Sequence, residues 1–187
     1  MAQYSSYCQA VADGSLSDLH VQYHDTEYGF PAQSDDALFQ RMMLEINQAG
    51  LSWDLILRKR KTLRAAYADF QVEVVARFQE EDIERLLQDA GIIRMRRKIE
   101  AAIHNARQIQ DIQGAHGSFA AWLDHHHPLP YPAWLKLFKK TFKFMGGETT
   151  KEFLMSAGYL PGAHTEDCPM YAKVLESSPR WYTHPLQ

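Results

Sequence analysis

Cysteine is nearly absent from this chain: only Cys8 and Cys168 occur, near opposite ends of 187 residues. That count excludes a disulfide-stapled secreted scaffold, which needs several cystines in a much shorter chain. Long apolar runs are missing too, and nothing approaches the roughly 20 residues that a membrane span requires. The start, MAQYSSYCQAVADG, has no basic segment leading into an apolar one and so does not read as a secretion signal. An excess of positive charge is also lacking. Twenty Lys and Arg against 23 Asp and Glu leave a formal charge of −3, which gives nucleic-acid binding no general help. That net value averages over the surface, however, and the basic residues are clustered. What is left is an ordinary globular composition, 45% hydrophobic and 23% charged, in a chain long enough for a substantial core. These features predict a soluble, cytoplasmic protein with no membrane contact.

Strand-like alternation and internal repeats are absent as well; the periodicity that is present is helical, and the chain reads as all-α. The most informative stretch is Leu44-Glu45-Ile46-Asn47-Gln48-Ala49-Gly50-Leu51-Ser52-Trp53. Upstream of it, Leu38, Phe39, Met42, Met43 and Ile46 recur at helical spacing. Ser34 supplies a cap, with Asp35 and Asp36 as favourable first-turn charge. At about 100° per residue, Glu45 falls on the edge of the apolar face, next to the core rather than toward water. Gly50 offers a helix stop, and Ser52 a cap for a new helix from Trp53. Spacing alone leaves two readings open: a site, or a helix-edge Glu bonded to backbone beside a core Trp.

A second unit occupies about 80–113. Glu80 to Leu87 reads as a short helix, Ala90-Gly91-Ile92-Ile93 breaks it, and a long helix runs from Arg94 to Ile112 on an Ile99, Ala102, Ile103, Ala106 and Ile109 stripe. Arg94, Arg96, Arg97 and Lys98 crowd the start of that second helix, where the helix dipole disfavours cations. Free backbone N–H groups plus these cations suit a phosphate. A tight helix–helix turn with solvated basic residues fits as well.

Elsewhere the sequence is less specific. The first thirty residues read as an ordered irregular segment, and Arg58 to Lys61 as a solvated helix face. Helices are expected over 117–127, 134–143 and 148–157, with His125, His126 and His127 as a polar helix end and Pro128, Pro130 and Pro132 in a loop. The tail from Pro169 gives little signal. His164 and Cys168 form a His-x₃-Cys pair able to chelate an ion from a turn. With Cys8 and His24 they complete a Cys₂His₂ set, the composition of a filled tetrahedral zinc site. Such a set would clip the N-terminal segment to the C-terminal one and leave no position for substrate.

Taken together, several motifs resemble those of the bacterial 3-methyladenine DNA glycosylase I family. They are Tyr23-His24-Asp25-x-Glu27-Tyr28-Gly29, Leu44-Glu45-x-x-Gln48-Ala49-Gly50-Leu51-Ser52-Trp53, Ala90-Gly91-Ile92-Ile93-Arg94, Lys98-Ile99, Phe142-Lys143-Phe144 and His164-x₃-Cys168, in family order over residues 8 to 168. The resemblance implies an all-helical helix–hairpin–helix glycosylase, one domain of two lobes over 1–187 with a base pocket between them. It implies that Glu45 is the catalytic carboxylate, with Tyr23, Tyr28 and Trp53 lining the pocket. The hairpin at Gly91, with Arg94 and Lys98, would grip the DNA backbone, and Leu51 would fill the gap left by a flipped nucleotide. Cys8, His24, His164 and Cys168 would hold one structural Zn2+.

The expected partners are therefore double-stranded alkylated DNA and the 3-methyladenine base, met by a monomer. Methylation at N3 makes adenine cationic and weakens its glycosidic bond, so the pocket needs aromatic faces and a carboxylate more than a strong nucleophile. Two other functions compete: a damage-binding relative that flips bases without excising them, and a zinc hydrolase. The four filled metal positions disfavour the hydrolase.

Overall fold

The computed structural model describes residues 6–186, and among them every regular element is helical. In chain order the helices are α1 (Tyr7–Ala12), α2 (Asp18–Thr26), α3 (Asp35–Gln48), α4 (Trp53–Ala66), α5 (Val72–Ala76), α6 (Glu80–Gln88) and α7 (Arg96–His116). They continue as α8 (Phe119–His126), α9 (Tyr131–Thr141), α10 (Gly147–Ser156), α11 (Pro169–Glu176) and α12 (Arg180–Thr183). No helix among the described residues is long and apolar enough to cross a membrane.

The centre is α3, which packs against α4, α5, α7, α8 and α10. Its Leu38, Phe39, Met42, Met43, Leu44 and Ile46 are all buried, so it is apolar on more than one face and sits inside the bundle rather than on it. Ser34 caps it as expected, its Oγ accepting from the Ala37 N–H at 3.1 Å. The two acids after Ser34 do more than complement the dipole of their own helix. Asp35 accepts from the Phe119 and Ala120 N–H groups at the start of α8, and Asp36 from the Val72 N–H at the start of α5. One short stretch therefore sets the angle of three helices. α7 closes the other side, packing Ile99, Ala102, Ile103, Ala106 and Ile109 into the same core through α5, α6 and α8.

Several expectations need correction. The described residues before Phe30 are mostly helical rather than irregular, forming α1 and α2. The inward stripe of α2 is His20, Tyr23 and His24, which has helical spacing but polar tips, so hydrophobic periodicity overlooks it. The helix after the hairpin begins at Arg96 rather than Arg94. Pro132 lies inside the first turn of α9, where a missing N–H costs nothing. The tail also carries structure, α11 and α12, and His127 Nε2 lies within hydrogen-bond distance of the Arg180 and His184 carbonyls.

Candidate functional site

Glu45 lies in the last turn of α3, just before the Gly50 turn, and only 5% of it is exposed. Among the described residues no cation compensates this burial. Desolvation, reinforced by the charge of Glu152, pushes its carboxyl up to about 8. Gly50 takes φ +84°, open to glycine and strained for other residues, and reverses the chain into α4. Ser52 Oγ caps that helix on the Leu55 N–H at 3.3 Å, which delivers Trp53 at its first position. Trp53 meets Tyr23 edge to face, centroids 5.0 Å apart, and Tyr23 lies 5.7 Å from Tyr28. Tyr23, Tyr28, Glu45 and Trp53 line one cavity of about 550 Å³. The structure thus brings together the four residues singled out for a pocket. A site built this way offers aromatic rings for a flat ligand and a carboxyl group able to ionise beside a cation.

Gln48 of the quoted motif also lines the cavity, as do Tyr7, His20 and Glu152, which no sequence signal singled out. The Tyr7 hydroxyl lies 3.0 Å from His20 Nδ1, which fastens α1 to α2 at the cavity wall. Glu152 follows Glu148 by one helical turn, a spacing that reads as the solvated face of α10. Instead its Oε2 accepts from the Tyr28 hydroxyl at 3.0 Å. Burial raises the Tyr28 phenol strongly, so it remains a donor.

Behind Tyr28 stands the Cys/His cluster. Cys8, His24, His164 and Cys168 are all buried, both thiols are free, and their four ligand atoms lie within 4.8 Å of one another. The four mixed sulfur–nitrogen separations are 3.3 Å from Cys8 to His24, 3.7 Å from Cys8 to His164, 3.7 Å from Cys168 to His24 and 3.6 Å from Cys168 to His164. Tetrahedral zinc with Zn–S of about 2.3 Å and Zn–N of about 2.05 Å requires sulfur–nitrogen edges of about 3.6 Å. The outward ring nitrogens also suit a metal site. His24 Nδ1 lies 2.6 Å from Asp25 Oδ1, and His164 Nε2 lies 2.7 Å from the Tyr28 carbonyl. Those partners turn His24 Nε2 and His164 Nδ1 inward. Gly29, at φ +86°, allows the close approach, since a Cβ there would stand 2.8 Å from Ala163 Cβ.

The hairpin between α6 and α7 is drawn against α4. Thr62 Oγ1 donates to the Gly91 carbonyl at 2.6 Å, Lys59 Nζ to that of Ala90 at 2.9 Å, and the Gly91 N–H donates to Asp89 Oδ1 at 2.7 Å. A Cβ on Gly91 would fall 2.9 Å from that carboxylate oxygen and 3.0 Å from Thr62 Cβ. At its start α7 has neither a side-chain cap nor an acid in its first turn. Arg94 and Arg97 are exposed there. Arg96 and Lys98 depart from the expected phosphate-facing set. Arg96 pairs with Glu80 and Glu84 across the hairpin, and Lys98 is buried with Nζ on the Asn47 and Ala49 carbonyls. Leu51 is 39% exposed at the turn two residues before Trp53, an unusual place for a large apolar side chain. A larger groove, about 690 Å³, lies beside the Arg58 to Lys61 run. Its cations are largely spent on Asp54, Glu27 and Asp69, which fits the solvated face expected of that run.

Residues 13–130 match the family model for methyladenine glycosylase. The DNA-3-methyladenine glycosylase 1 of Escherichia coli (strain K12) is 36% identical over 176 residues, covering 84% of this chain and 94% of that protein. The DNA-3-methyladenine glycosylase of Haemophilus influenzae is 32% identical over 181 residues, covering 87% and 96%. The fold superposes with a TM-score of 0.78 on 3-methyladenine DNA glycosylase I from Staphylococcus aureus, solved to explain 3-methyladenine recognition by that enzyme. That pair shares 32% identity and covers 88% of this chain and 97% of the other.

Proposed function

Because the chain belongs to the methyladenine glycosylase family, we propose that it is a DNA repair enzyme that hydrolytically excises 3-methyladenine from alkylated DNA. The observation that carries the reading is the buried Glu45, without an ion-pair partner among the described residues, in a cavity walled by Tyr23, Tyr28 and Trp53. A carboxyl raised to about 8 is mostly neutral in the empty pocket near pH 7. A cationic base entering beside it reverses the balance, because the ionised form then gains a close opposite charge where little water screens it.

Duplex DNA binds through the uncapped start of α7, its N–H groups and the exposed Arg94 and Arg97 receiving phosphates. Leu51 enters the stack and replaces the nucleotide that swings into the cavity. The aromatic rings hold the alkylated purine, and Glu45 accepts from its edge. The C1′–N9 bond then breaks with its electron pair passing to the base, which leaves neutral. Water bonds to C1′ and gives up a proton, leaving an abasic site. Departure is easy because the base begins as a cation, so no strong enzyme nucleophile is needed.

Zinc, where bound, is held by Cys8, His24, His164 and Cys168. All four positions are filled by protein, so its part is to fasten α1 and α2 to the segment before α11. The test is chromatographic detection of free 3-methyladenine after incubation of the purified protein with methylated duplex DNA. Tight binding of methylated DNA without base release would instead establish the damage-binding function.

A further inference from the structure

The reading above gives no part to Glu152, yet this carboxylate lines the same cavity as Glu45. It comes from α10, which packs against α3, and its Oε2 accepts a 3.0 Å hydrogen bond from the Tyr28 hydroxyl. Among the described residues neither Glu45 nor Glu152 forms an ion pair with Lys or Arg. Two partly or wholly buried acids near each other, with no ion-pair partner and only the more distant Lys151 charge favouring Glu152, are a costly arrangement. Folding alone does not account for it. A cation arriving between them offsets the cost, and the tyrosine hydroxyl holds Glu152 in place and favours its ionised form against the burial that raises it.

We propose that Glu152 is a specificity-determining residue: held by the Tyr28 hydroxyl, it completes a dicarboxylate that selects positively charged purine bases over neutral ones. The inference rests on the assignment of this cavity to the flipped base. Its rationale is discrimination. An alkylated adenine differs from the vast excess of ordinary adenine by one methyl group and one charge. A methyl in an apolar pocket is worth only about 10- to 200-fold. A charge facing two acids in a poorly hydrated cavity adds a separate sorting step, one that a neutral base of the same shape fails.

The test uses two probes of similar shape: the 3,9-dimethyladeninium cation, which mimics the base still bonded to sugar, and free 3-methyladenine, uncharged at neutral pH. Binding to the whole protein is followed by calorimetry, and excision from methylated duplex DNA by base release. Glu152→Gln keeps an oxygen for the Tyr28 hydroxyl but removes the charge. It should weaken the cation about tenfold, raise KM for excision by a similar factor, and leave the neutral base within about twofold. Tyr28→Phe, which frees Glu152 without removing it, should give a smaller loss in the same direction, and guards against a folding defect in the first variant. Equal weakening of both probes, or none, overturns the role of Glu152 while leaving the pocket assignment intact. Failure of the unaltered protein to bind either probe overturns the pocket assignment and this inference with it.

Discussion

The Nζ of Lys98 lies 2.8 Å from the carbonyl oxygen of Ala49, and another 2.8 Å bond joins it to the carbonyl of Asn47. A side chain from the first turn of the hairpin's long helix thereby closes the open end of the helix that carries Glu45. The cation complements the negative end of α3's dipole and uses carbonyls with no helical partner. Burial pulls the Lys98 ammonium below its ordinary range, but these bonds keep the charged donor useful.

Lys98→Met should therefore cost about 2 kcal/mol in stability, because two buried carbonyls lose a charged donor. It should also slow excision by loosening the turn that holds Leu51 and Trp53, while affinity for undamaged duplex stays near the parent value. Urea unfolding, base release and duplex titration read the three quantities. A variant with parental stability and excision would show that this bond does not organise the pocket.

The Cys/His cluster and the pocket meet at Tyr28, whose carbonyl lies 2.7 Å from His164 Nε2. Purified protein should contain one zinc per chain by elemental analysis and no Cys8–Cys168 disulfide. A strong chelator should lower the melting temperature and raise KM together, since releasing His164 frees the segment that presents the Tyr28 ring. Metal-free protein with unchanged melting and unchanged KM would refute the structural role.

Much of this arrangement was legible in the sequence where chemistry and periodicity coincide. Phe39, Met42 and Ile46 announce α3 by spacing, and the Ser52 cap announces α4. His20, Tyr23 and His24 have the same helical spacing, but their polar tips hide α2 from any hydrophobic pattern. Glu152 was illegible for a related reason. Whether a polar residue on a helix faces water or a cavity depends on the neighbouring element, here the Tyr28 segment 124 residues away. Lys98 and Arg96 mislead in the opposite direction: their charges suggest phosphate, yet their partners are an α3 helix end and the acids of α6.

The residual basic character at the hairpin rests on Arg94 and Arg97, and the two sites should separate cleanly by experiment. Arg94→Ala should weaken duplex binding alike on methylated and unmethylated DNA and reduce the salt slope by about 1. Leu51→Ala should leave unmethylated duplex affinity unchanged but slow excision, because only the flipped state needs the wedge. Sequence-dependent loss from Arg94→Ala, or an unaffected excision rate in Leu51→Ala, would contradict these roles.

Glu45 makes a prediction about pH whose sign is fixed by its environment. Burial and Glu152 raise its carboxyl from an ordinary 4.5 to about 8 in the folded protein. Between those limits the folded state binds a proton that the unfolded state has released, so stability falls as pH rises from about 4.5 to about 8. Glu45→Gln carries no such proton and should resist alkaline destabilisation, gaining on the order of a few kcal/mol over the parent by pH 8. Catalysis should move the other way. The ionised form is the one that engages a cationic base, so kcat/KM for 3-methyladenine should climb about tenfold between pH 7 and pH 9 and then level. In Glu45→Gln the climb should vanish, with kcat/KM lower than the parent's at every pH above about 8. Paired urea unfolding and base-release series across this range measure both trends. A parent whose excision is flat over pH 7 to 9, or a Glu45→Gln variant no more stable at high pH, would remove the buried carboxylate from the centre of the mechanism.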